Sequence, residues 1–104
     1  MNERELSKLW YIADALARNP LKWREILKAG RAGPIDVSES LEVALDALEK
    51  SLKQHSAELG GTGHAAALRV VAQDLLERQE PERDAGRALA WALENASSRR
   101  VMQA

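Results

Sequence analysis

The chain has 104 residues, with 15 Lys or Arg against 16 Asp or Glu, and it contains no cysteine. This length predicts a single domain, residues 1–104, with one modest core. Without cysteine there are no disulfides, thiolate metal ligands or cysteine nucleophiles, and a formal net charge of −1 argues against a protein that coats nucleic acid or membrane. The charged N-terminus is not followed by a signal-type apolar region, and no apolar run reaches about 18 residues, so we predict a cytoplasmic protein with no membrane partner.

The first two predicted elements are helices separated by a proline. Apolar residues recur at helical spacing over residues 3–18, and Asn19-Pro20 ends that helix. A short second helix then begins at Pro20, because proline is tolerated in a first turn. Its apolar face includes Trp23, and it is predicted to end near Gly30.

The third predicted helix is the longest, from about residue 38 to residue 59, with Asp36 or Ser38 as its cap and Gly60-Gly61 at its end. Its apolar seam has alternating four- and three-residue spacing: Leu41, Leu45, Leu48, Leu52, His55 and Leu59. The seam covers under three heptads and its flanks are acidic or neutral, which favours packing inside the chain over a coiled-coil homodimer. Both a monomer and a homodimer stay open.

Two more helices follow, over about residues 63–79 and 81–97, and residues 98–104 are predicted to fray. The third and fourth helices should form an antiparallel hairpin across Gly60-Gly61, because their connection is short. Small residues in the fifth helix permit close helix contact. No period-two alternation is sustained, so the predicted fold class is all-α: a compact bundle of four to five helices around a long central helix.

His55 interrupts the leucine seam and has three possible roles. It can be a core histidine that fixes the register of the helices, or a metal ligand together with Glu58 and His64. His55-Ser56 followed by glycines also resembles histidine phosphotransfer domains, which implies a phosphoryl acceptor, although Glu58 and Leu59 stand where that family has lysine and glycine. The core role is the prediction, and no metal site is predicted.

Charge is unevenly distributed along the chain. Segment 18–31 has five basic residues against one acidic residue, a net charge of +4: Arg18, Lys22, Arg24, Lys28 and Arg31. Segment 36–58 has six acidic residues against two lysines, a net charge of −4. We expect the basic segment to lie against the acidic third helix. If it is exposed instead, it is a candidate contact for nucleic acid or an acidic partner.

The chain has four aromatic residues, and all four are candidate partner contacts: Trp10, Tyr11, Trp23 and Trp91. Trp10 and Tyr11 are adjacent, so both cannot point straight into the core, and Trp91 lies beside the apolar stripe of the last helix. At least one of these side chains is predicted to mark a binding surface.

The sequence has no glycine-rich phosphate loop and no nucleophile elbow, so neither an enzyme nor a cofactor is predicted. The predicted function is a small protein–protein interaction module, such as a regulator, adaptor, inhibitor or assembly subunit, that presents aromatic anchors with a charged rim. The alternative is a nucleic-acid-binding regulator that uses segment 18–31.

Overall fold

The computed structural model describes residues 1–33 and 37–103, with side chains described up to Ala96. Within these ranges the chain forms six α-helices and one short 3₁₀ helix and contains no strand, which confirms the predicted all-α fold. The elements are α1 Glu3–Arg18, the 3₁₀ helix Pro20–Lys22, α2 Trp23–Arg31, α3 Glu39–Gln54, α4 Ser56–Leu59, α5 His64–Leu76 and α6 Glu82–Gln103.

The start of α1 is joined to the start of α3 through one buried carboxylate, that of Glu5. The Asn2 side-chain oxygen accepts from the Glu5 backbone N–H at 2.9 Å, and the Glu5 carboxylate accepts from the Asn2 N–H at 3.5 Å, which is a capping box. Glu5 also accepts from the Ser38 hydroxyl, and the Ser38 oxygen accepts from Leu41 N–H at 3.2 Å. Ser38 is therefore the cap of α3, while Asp36 lies outside the described residues.

The predicted central helix is broken at His55. Its backbone leaves helical geometry (φ −109°, ψ 19°) and its N–H donates to the carbonyls of Ser51 and Leu52 at 3.3 and 3.2 Å. The chain then forms α4, which returns Leu59 to the core at 1% exposure. The prediction of one helix to residue 59 is thus wrong beyond Gln54, and the half-buried His55 lies at a helix junction rather than inside the leucine seam.

Gly60 and Gly61 separate α4 from α5 without the left-handed conformation that is common in a helix-ending glycine. Gly60 has φ −79° and ψ −10°, and no described glycine has a positive φ. Their N–H groups instead donate to Ser56 and Glu58 carbonyls at 3.1 and 3.2 Å. Beyond them α5 packs back against α3 and α4, as the predicted hairpin requires.

The ends of α5 and α6 differ from the predicted ones. α5 begins at His64 after Gly63, without a side-chain cap, and ends at Leu76 rather than near residue 79. The Arg83 guanidinium, reaching back from α6, donates to the Leu76 and Arg78 carbonyls at 3.2 and 2.9 Å. α6 continues past residue 97 to Gln103, and the fraying of residues 98–104 stays a prediction.

The core is built mainly of leucine and alanine, and α6 contributes to it by packing against α1, α3 and α5. The five seam leucines are each at most 1% exposed: Leu41, Leu45, Leu48, Leu52 and Leu59. Their burial takes place inside one chain, because the helices that cover them belong to the same bundle.

Gly86 allows α6 to approach α5 closely. A Cβ atom added at Gly86 would lie 2.7 Å from the Leu76 backbone nitrogen, 2.9 Å from Leu75 Cβ and 3.0 Å from the Ala72 carbonyl oxygen. Two of these three atoms are backbone atoms, so the helices would have to move apart. We therefore expect Gly86→Ala to lower the free energy of unfolding by about 1–3 kcal/mol despite alanine's better helix propensity, as measured by urea denaturation.

Gly60→Ala is the matched control for this prediction. The nearest atom to a Cβ at Gly60 is 3.5 Å away and its φ is negative, so alanine fits without strain. We expect this variant to gain about 0.4–1 kcal/mol, because alanine restricts the unfolded chain more than glycine does. Equal effects of the two substitutions would contradict the close α5–α6 approach.

Candidate functional site

Trp23, one of the four predicted aromatic contacts, is a core residue. It lies at the start of α2, on the same face as Leu27, and both are buried, at 4% and 1% exposure. The Arg24 guanidinium carbon lies 4.3 Å from the Trp23 ring centroid, in the range of a cation–π contact. Trp23 is therefore not a surface anchor, because its apolar face is already covered by the chain itself.

Trp10 and Trp91 contact each other where α1 packs against α6. Their ring centroids are 4.7 Å apart with an interplanar angle of 62°, the edge-to-face arrangement that aromatic pairs favour. Trp10 is half-buried and Trp91 is 41% exposed. This tryptophan pair contributes to α1–α6 packing and leaves one edge of Trp91 in solvent.

Tyr11 is the most exposed aromatic residue of the described chain, with 78% of its surface accessible. Adjacent residues of a helix are separated by about 100°, so Tyr11 faces away from the tryptophan pair. The prediction that Trp10 and Tyr11 cannot both point inward is confirmed.

Tyr11 stands at the edge of a groove between α1 and α2, which we call the α1–α2 groove. Its volume is about 760 Å³. The lining is mostly apolar and comes from both helices: Tyr11, Ile12, Ala15, Ile26, Ala29 and Gly30. The groove is thus a concave apolar surface with an exposed aromatic side chain beside it.

Small residues of α2 create this groove. A Cβ at Gly30 would lie 2.5 Å from Ile12 Cδ1, so glycine brings α2 close to α1 at that point. Ala29 and Gly33, which follows α2, also line the groove and add little or no side-chain volume to it. The site was not predicted from the sequence, because Gly30 was interpreted only as the end of the second helix. Ala29, Gly30 and Gly33 clustered beside an apolar helix face were the available signal.

Charged side chains lie along the α1 side of the groove. Arg4 and Lys8 line it together with Glu3, and Lys8 reaches across, so that its Nζ would lie 3.3 Å from a Cβ added at Gly33. Arg4 is exposed and has no ion pair within the described part of the chain. The groove therefore combines an apolar lining with cations on one side.

The predicted match between segment 18–31 and the acidic third helix is made by Arg31. Its guanidinium lies 2.7 Å from the Asp46 carboxylate and 3.4 Å from that of Glu49, and these ion pairs join α2 to α3. The prediction is confirmed for this residue.

The other four basic residues of the segment are exposed. Arg18 pairs with Asp14 of its own helix at 3.1 Å, Arg24 lies over Trp23, and Lys22 and Lys28 extend from the surface of the 3₁₀ helix and α2. Most of the basic segment is therefore accessible, with α3 neutralising one end of it.

A polar cluster joins α3 to the α5–α6 corner. The buried Ser51 hydroxyl donates to the Asp74 carboxylate at 3.1 Å, and Arg78 pairs with Asp74 and Glu82 at 3.4 and 2.9 Å. The hydrogen bond to Glu82, followed by the negative charge of Asp74, raises the pKa of Arg78 above its ordinary value. The cluster is therefore a packing contact whose members already have partners.

The two histidines lie at different helix boundaries. His64 Nδ1 lies 3.2 Å from the Gly61 carbonyl oxygen, whereas His55 lies at the α3–α4 junction. Among the described residues no three histidine, aspartate or glutamate side chains are grouped so that they could hold a metal ion. Nor does any helix in the described ranges have the length and apolar character needed to cross a bilayer.

The fold and the α1–α2 groove define a small all-α bundle that has a concave apolar surface between its first two α-helices. Comparison with protein-family models, with curated proteins and with solved structures finds no match to this chain.

Proposed function

We propose that this protein is a small, non-enzymatic protein–protein interaction module that binds its partner in the α1–α2 groove. The observation that carries the proposal is an apolar groove of about 760 Å³ beside a tyrosine that is 78% exposed. Apolar surface left uncovered is unfavourable in water, and binding sites are typically concave, mostly apolar clefts with a few polar groups at defined positions. Tyrosine is also one of the residues most enriched at the energetic centres of interfaces.

The composition of the groove supports binding rather than catalysis. A reaction needs polar groups that converge on one point, whereas most of the groove lining is contributed by aliphatic carbons and by glycine. Its charged residues, Glu3, Arg4 and Lys8, all belong to α1. They form the rim of an interface, where charge governs the rate of encounter and the choice of partner.

Ala29→Trp tests this proposal, because it fills the groove from an exposed position of α2. The intact protein, immobilised and incubated with nuclease-treated lysate of its source cell, should retain a partner that Ala29→Trp loses by at least about tenfold, since the bulk occupies the partner's place. Ala66→Trp is the matched control, an exposed alanine on α5 outside the groove, and it should retain the partner. Thermal melting should show that both variants fold.

A partner captured equally by the original chain and by Ala29→Trp would overturn the assignment of the groove. If the untreated lysate yields bound nucleic acid and associated protein but the nuclease-treated lysate yields no bound protein, the interaction module is overturned in favour of nucleic-acid binding.

That second candidate function rests on the exposure of Lys22, Arg24 and Lys28. These cations are free of contact with the carboxylates of α3 that hold Arg31, and cations in such positions can neutralise phosphates. Replacing all three by alanine should then weaken a gel shift on duplex DNA and reduce its dependence on salt concentration. A shift that survives the replacement would refute this site.

A further inference from the structure

The α1–α2 groove has the length and shape of a helix-binding site, and this inference rests on the proposed function. Four α1 residues line it in an unbroken strip, Arg4, Lys8, Tyr11 and Ala15, at the four- and three-residue spacing of one helix face. Arg4 and Ala15 are eleven residues apart, which corresponds to about 17 Å along the helix axis, or three turns.

The walls of the groove suit the close approach of a helix. Ala15 on one side and Ala29, Gly30 and Gly33 on the other carry little or no side chain, and small residues allow helix axes to come near each other. A strand is a poor fit, because strand addition needs an exposed sheet edge and the described chain contains no strand. A polyproline segment needs a groove lined by several aromatic rings, whereas this groove has Tyr11 as its aromatic residue.

The charged residues along the groove indicate the sign of the charge that its occupant carries. At about 100° per residue, Arg4 and Lys8 fall on the same arc of α1 as Tyr11 and Ala15, while Glu3 lies a quarter turn or more away from Arg4 at the outer edge. Arg4, which has no ion pair within the described part of the chain, therefore faces the groove more directly than the Glu3 carboxylate does, and a carboxylate on the occupant would be attracted to it.

We propose that the α1–α2 groove binds an amphipathic helix of about three turns, with apolar residues at i, i+4 and i+7 and with Asp or Glu beside Arg4. The apolar ridge fills the space between Tyr11 and Ala29. The acidic flank pairs with Arg4.

Selection from a displayed library of random peptides on the intact protein tests this proposal without knowledge of the natural partner. We expect the enriched sequences to carry the i, i+4, i+7 apolar pattern with acidic residues on one flank, and a synthetic peptide of that sequence to gain helical circular dichroism on binding. Ala29→Trp should weaken its binding at least about tenfold, and Ala66→Trp should leave it unchanged.

Arg4→Glu tests the charge of the groove separately from its shape. Arg4 is exposed in the first turn of α1, where an acidic residue is tolerated by the helix dipole. Binding of the acidic peptide should weaken by about fivefold, because attraction becomes repulsion at the rim, and selection on this variant should lose its acidic preference. Unchanged affinity and unchanged selection would overturn the acidic flank.

Other outcomes overturn the inference and are distinguishable from failure of the proposed function. Some selected peptides could lose binding to Ala29→Trp and yet bind in an extended conformation or lack acidic residues. Either result would exclude an acidic helix as the occupant, while the proposed interaction module would remain supported. Peptides that bind only after residues 34–36 are replaced by glycine would show that the chain fills its own groove. If both captured proteins and selected peptides bind Ala29→Trp as well as the original chain, the groove is not a binding site.

Discussion

Replacing Leu45 with alanine is expected to lower the free energy of unfolding by about 2–5 kcal/mol. Leu45 is fully buried in the middle of the leucine seam, so the substitution removes apolar contacts and leaves a cavity that the surrounding helices fill only in part. A domain of this size has a total stability of about 5–15 kcal/mol. The variant should therefore unfold at a clearly lower urea concentration, as followed by far-ultraviolet circular dichroism.

Val43→Ala is the control for this substitution, because Val43 is on the same helix and is 38% exposed. We expect its effect to stay within about 0.5 kcal/mol. The comparison also tests whether the seam is intramolecular. In both the original chain and Leu45→Ala the urea midpoint should be independent of protein concentration. A midpoint that rises with concentration would show instead that the seam leucines are buried between two chains.

The leucine seam was predictable from sequence, but the path of the backbone through it was not. Leu52 and Leu59 are seven residues apart, a spacing that an unbroken helix and a helix interrupted for one residue both satisfy. The apolar pattern therefore does not record that the backbone leaves helical geometry at His55. It predicted which residues are buried more accurately than it predicted where the helix ends.

The end of α1 shows the opposite case, in which a local signal was sufficient. Asn19-Pro20 ends α1 at Arg18, as predicted, because proline disfavours helical geometry in the residue before it. Gly60-Gly61 also stands at a helix end, yet neither glycine has the left-handed conformation that helix-ending glycines commonly adopt. A proline restricts the backbone by its own covalent structure, whereas a glycine permits many conformations and selects none.

The candidate site was predictable only in part, for a related reason. The adjacent positions of Trp10 and Tyr11 in a helix predicted that both cannot point inward, but not that Tyr11 is the exposed one. The α1–α2 groove depends on how far apart two helices lie, and the Gly30 contact with Ile12 that sets this distance joins residues 18 positions apart in sequence. Likewise the total charge of segment 18–31 predicted attraction to α3, but the bundle geometry decides that Arg31 alone of the five basic residues reaches Asp46 and Glu49.

Trp23→Ala and Tyr11→Ala should have opposite consequences for stability and binding. Trp23 is buried at 4% exposure while Tyr11 is 78% exposed. Removal of the Trp23 indole should lower the free energy of unfolding by about 3–5 kcal/mol, because it empties the space where α2 packs onto the core. Removal of the Tyr11 ring should change it by less than about 0.5 kcal/mol, because the ring contacts mostly water. Urea denaturation followed by circular dichroism measures both values without depending on tryptophan fluorescence.

Binding of the selected helical peptide supplies the second measurement for this pair. Tyr11→Ala should weaken it by about fivefold or more, since truncation of a tyrosine at the energetic centre of an interface costs more than about 1 kcal/mol. Trp23→Ala should be assayed at a urea concentration well below its unfolding midpoint. Under those conditions its folded molecules should bind the peptide with the affinity of the original chain. If Trp23→Ala is as stable as the original chain but loses the peptide, then Trp23 is an anchor after all. The two measurements together separate a residue that holds the bundle together from a residue that the bundle presents to a partner.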